Sequence, residues 1–95
     1  MLSDYVNEAN RFRTVRLRGL PFHSGKQEII NFFRSFQVQD AHIEFKNGRA
    51  SGRAIVILND EREASRACRE LHKAYLGNRY IEVDMLTHVE QEIYN

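Results

Sequence analysis

Residues 14–22 read TVRLRGLPF and residues 53–58 read RAIVIL. In the first stretch Val15 and Leu17 alternate with Arg16 and Arg18, the period of a half-buried strand. Gly19 and Pro21 then open a turn that runs to Gly25. In the second stretch Ala54, Val56 and Leu58 point inward from another strand. Between the two, Ser24 followed by Gln27 matches a capping box. Ile29, Ile30, Phe32, Phe33 and Phe36 follow at helical spacing, which predicts a helix over residues 25–36. Ala41, Ile43 and Phe45 alternate with His42 and Glu44 in a strand that ends at the turn KNG, residues 46–48. Asp60 and Glu63 form a second capping box ahead of the stripe Ala64, Ala67, Cys68 and Leu71. Gly77-Asn78 breaks the chain, and residues 79–84 close it with Ile81 and Val83 inward.

The order β-α-β-β-α-β predicts an α+β, ferredoxin-like fold: a four-stranded antiparallel sheet with both helices on one face. Two capping boxes, two helical stripes and four alternating strands agree on it. Residues 1–13 form an N-terminal extension, 14–84 the domain, and 85–95 a C-terminal extension. In the last, Leu86, Val89, Glu90 and Ile93 recur at helical spacing. A short C-terminal helix fits this spacing; at about two turns it needs packing, and the open sheet face is where it would pack.

Ninety-five residues make one domain. With 42% hydrophobic and 28% charged residues, disorder is not expected over most of the chain. The net charge of +1 and a pI near 8.0 argue against a purely electrostatic grip on phosphates, so any nucleic-acid site must be local. One cysteine rules out an internal disulfide framework, and Cys68 reads as a small buried hydrophobe. No apolar run is long enough for a membrane span, and residues 1–10 resemble no targeting peptide. His23, His42, His72 and His88 are scattered, and no phosphate-binding glycine loop or nucleophile elbow is present. Neither catalysis, nor a metal, nor a cofactor is expected.

Many proteins of this fold are RNA recognition motifs, whose sheet aromatics stack on unpaired bases. At the equivalent positions this chain has Arg16, Arg53 and Ile55. Guanidinium groups stack on bases and pair with phosphates, but isoleucine does neither. Glu44, Glu82 and Asp84 flank the face and repel phosphate. Ile55 and Ile57 would leave apolar surface on it. Either the C-terminal segment covers them through Leu86, Val89 and Ile93, restricting RNA to the loops, or they meet a protein partner or a second copy of the domain.

VRLRGLPF, GRASGRAIVIL and LGNRYIEV, in that order, resemble the quasi-RRM domains of the heterogeneous nuclear ribonucleoprotein F/H family. The resemblance covers residues 14–84. It implies that loops at one end of the sheet hold single-stranded, G-rich RNA while the open sheet stays largely unused. By motif position it assigns RNA contacts to Arg18, Phe22, Arg49 and Tyr80, with Arg79 beside the last and Arg16 and Arg53 assisting. The chemistry suits the role: two aromatics hold a purine, and arginines donate to guanine O6 and N7 or to phosphate. Where relatives carry an acid and then an aromatic after SG, this chain has Arg53 and Ile55. The resemblance further implies RNA processing inside the cell, with the nucleus first and the mitochondrion or cytoplasm as alternatives.

Overall fold

The structure is a computed structural model. It describes residues 2–94, with side chains throughout that range except at positions 3 and 91–94. Five strands, β1 (Thr14–Arg18), β2 (Val38–Lys46), β3 (Arg49–Leu58), β4 (Ala74–Leu76) and β5 (Arg79–Met85), form one antiparallel sheet in the order β2-β3-β1-β5-β4. Helices α1 (Lys26–Phe32) and α2 (Glu61–Leu71) join them in the β-α-β-β-α-β order read from the sequence, and α3 (Leu86–Tyr94) follows β5.

The core lies between the sheet and α1 and α2. Val15, Leu17, Ile29, Phe33, Ala54, Val56, Ala64, Ala67 and Ile81 are fully buried there. Asn47 and Gly48, at φ 53° and 76°, make the β2–β3 hairpin turn that an Asn-Gly pair favours. Asp60 caps α2, its Oδ1 accepting the Glu63 amide at 2.8 Å.

Four sequence expectations shift. β4 is additional: Gly77-Asn78 turns a hairpin rather than ending a loop, and three residues before it pair with β5. The cap of α1 falls one residue later than the Ser24–Gln27 box, with the Gly25 amide donating to Glu28 Oε1 at 2.8 Å. That helix ends at Phe32; turns through Phe33 and Phe36 keep both rings in the core. Phe45 does not share the surroundings of Ala41 and Ile43, with which it alternates in the sequence: it is exposed, because the β2–β3 register shifts between Ile43 and Phe45.

The face opposite α1 and α2 is not bare. Ile55 and Ile57 are 2% and 5% exposed, yet neither belongs to the helix-side core. Two flanking segments close over them. A 3-10 turn, Leu2–Tyr5, packs on β2, where the Tyr5 ring stacks on His42 with centroids 3.7 Å apart. Helix α3 packs on β1 and β5 and buries Val89; the Ile93 side chain lies outside the described residues. Arg11 Nε, 3.3 Å from Glu90 Oε1, joins the two flanks. An exposed isoleucine pair for a protein partner is therefore absent from this structure. Burying each isoleucine side chain is worth about 1.5–3 kcal/mol.

Candidate nucleic-acid interface

At one end of the sheet β1 finishes beside the middle of β3 and of β5, whose first residues run on past it. Arg18 stands opposite Arg53 on one side and Glu82 on the other. The next residue, Gly19, has φ +89°, and a Cβ there would lie 3.0 Å from the Tyr80 carbonyl oxygen. Glycine thus lets the β4–β5 hairpin close on the end of β1. The Leu20 amide donates to the Gly52 carbonyl at 3.0 Å, tying the loop after β1 to β3. Buried Leu20 anchors that loop and leaves Phe22 at its tip, 77% exposed.

Two clefts open on either side of Arg18. One, of about 370 Å³, is lined by Arg18, Gly19, Tyr75, Asn78, Arg79, Tyr80 and Glu82. The other, of about 340 Å³, is lined by Gly19, Leu20 and Phe22 with Gly52, Arg53 and the same Arg18 and Arg79. Of the residues singled out from the sequence, Arg18, Phe22, Arg53, Arg79 and Tyr80 thus come together at one rim. Arg49 lies at the same end, opposite Lys46 at the hairpin, but lines neither cleft. Arg16 lies inside the sheet face, between Ile55 and Asp84, and lines neither cleft either. Tyr75 was missed by sequence reasoning. Its one sequence signal was Gly77-Asn78, a Gly-Asn pair of the kind that turns a two-residue hairpin.

Charge is distributed unevenly over these groups. Arg18 Nη2 lies 2.5 Å from Glu82 Oε2 and 3.6 Å from Asp84 Oδ2. Arg16 Nη2 lies 3.5 Å from the same Asp84 oxygen. Burial, followed by repulsion from Arg18, lowers the Arg16 pKa from its ordinary value, while Asp84 pulls the other way. Among the described residues, Arg53, Arg79 and Arg49 make no ion pair. The rim therefore holds cations ready for a new anion, and the sheet centre holds cations already matched.

No group of three or more metal-ligating side chains occurs among the described residues. Burial and then the charge of Asp84 push the Cys68 thiol up to about 11, so it stays protonated and unreactive at neutral pH. No helix among the described residues is long and apolar enough to cross a membrane.

Comparison with known proteins agrees with this fold. The RRM domain family matches residues 15–93. Human heterogeneous nuclear ribonucleoprotein H is 39% identical over 72 residues, which cover 73% of this chain. This chain spans only 16% of the length of that relative. Among solved structures, the Glorund qRRM2 domain superposes with a TM-score of 0.72 at 26% identity, covering 86% of this chain and 97% of that domain. Human G-rich RNA sequence binding factor 1 superposes with a TM-score of 0.71 at 24% identity, covering 85% of this chain and 88% of the other. The chain belongs to the RRM domain family, as a quasi-RRM of the heterogeneous nuclear ribonucleoprotein F/H type.

Proposed function

We propose that this domain binds single-stranded RNA at the rim, one base against Phe22 and another against Tyr80, with Arg18 between them. The observation that carries the reading is the position of Arg18 as the shared wall of two clefts, each holding an exposed aromatic ring. Stacking is sequence-tolerant, so base preference falls to the polar groups. Arg18, Arg53 and Arg79 donate only, which favours the O6 and N7 acceptors of guanine and supports a G-rich preference. Arg49 lies far enough along the hairpin to meet a flanking phosphate, whereas Arg16 pairs with Asp84 and makes no RNA contact. The sheet centre, covered and charge-matched, takes no part. Membership of the family, and a relative named as a nuclear ribonucleoprotein, support a place in intracellular RNA processing, the nucleus first.

The test is a chemical-shift titration with short oligo-G, oligo-A and oligo-U. Residues lining the two clefts should move, and those of the sheet centre should not. Phe22→Ala and Tyr80→Ala should each weaken binding by about 1–3 kcal/mol, the worth of one base stack. Full affinity in both variants refutes the rim site.

A further inference from the structure

We propose that the β4–β5 hairpin carries a further base-binding residue, Tyr75, which turns the Tyr80 cleft into a two-walled seat for a single unpaired nucleobase. This rests on the rim being an RNA site and names a contact that neither the motif resemblance nor the sheet signatures assign.

Register supplies the first observation. Tyr75 pairs with Tyr80 across the hairpin, so both side chains leave the same face of the sheet, two residues from Glu82. Their rings stand nearly perpendicular, at 83° with centroids 6.5 Å apart. The pair is an open corner rather than a closed stack. Exposure supplies the second. Tyr75 is 69% and Tyr80 52% exposed despite their contact, so core packing does not account for either ring. A three-residue edge strand has little use for a large exposed aromatic as a structural element.

The lining then selects the ligand. The corner's remaining walls are Gly19, Arg18, Asn78, Arg79 and Glu82. An apolar peptide side chain would leave the Arg79 guanidinium and the Asn78 amide unmatched and would offer nothing to the paired Arg18 and Glu82. A nucleobase matches them: one face lies on a tyrosine, one edge abuts the other ring, and the remaining edges carry both donors and acceptors. Its phosphate finds Arg79, which has no ion pair among the described residues.

The experiment uses the whole chain and a heptamer of guanosines and uridines carrying one 2-aminopurine between two uridines, whose emission falls on stacking. Affinity and quenching at saturating protein are measured for wild type, Tyr75→Phe, Tyr75→Leu and Tyr80→Ala, with thermal melting alongside. Tyr75→Phe keeps the ring and should bind within about twofold of wild type, whereas Tyr75→Leu keeps bulk without a flat face and should bind about tenfold more weakly. It should also quench less, with unchanged melting. Wild-type affinity and quenching in Tyr75→Leu, while Tyr80→Ala is impaired, overturn the Tyr75 assignment and leave the rim site standing. Full affinity in Tyr80→Ala and in Phe22→Ala removes the rim site and Tyr75 with it.

Discussion

Arg16 and Arg18 stand two residues apart on β1 and project from the same face, yet their surroundings differ. Arg16 lies under the flanks, between buried Ile55 and Asp84. Arg18 reaches the rim, where it separates two open clefts and shares its charge with Glu82. The centre of the sheet is apolar, covered and neutralised, while its end is aromatic, exposed and cationic. An open rim and a covered face are thus laid along the same strands, and position along the strand decides which a residue joins.

That contrast can be broken at several points. The largest effect is expected at the centre, where Ile55→Ala should cost about 2–5 kcal/mol of stability, seen in urea unfolding. The folded variant should still bind RNA as wild type does. A loss of affinity would mean that the covered face takes part after all. Next comes the arginine pair. Arg18→Met should weaken RNA binding by about 1.5–3 kcal/mol, the range for hydrogen bonds to a charged group. Arg16→Met should leave affinity unchanged while lowering the melting temperature. Equal losses of affinity would erase the distinction between the two positions.

The smallest effect sharpens the account of the sheet's outer edge. Partial burial alone would raise the pKa of Asp40, but the Ala41 amide, Lys26 and His42 outweigh it and hold it below the ordinary 3.8. A carboxylate depressed on folding contributes stability that is complete above pH 3.8 and is lost as the pH falls below that value. Asp40→Asn should flatten this acid limb of an unfolding series without altering stability differences at neutral pH among the rim variants. An acid limb of the same depth in Asp40→Asn would assign it to other carboxylates.

Much of the fold was legible because it is written in local rules. Alternation marks the strands, Asn47-Gly48 the hairpin and Asp60 the start of α2. Phe45 escaped because a register shift is a property of two strands, not of one. β4 escaped because three residues are too few to show a period. The rim residues emerged from motif position, whereas the separation of Arg16 from Arg18 depends on Asp84, sixty-odd positions away, and on flanks that dock from both ends. Sequence proximity carries no information about such neighbours.

The pairing of Arg18 with Glu82 also bears on ionic strength. A free arginine meeting a phosphate lets one condensed cation leave the nucleic acid, and each such contact steepens the dependence of binding on salt by about 0.7 in logarithmic slope for a single strand. Arg18 must first abandon an acidic neighbour, which then recruits a cation of its own. For any phosphate that Arg18 met, net ion release would be smaller, and the salt dependence would understate the number of contacts.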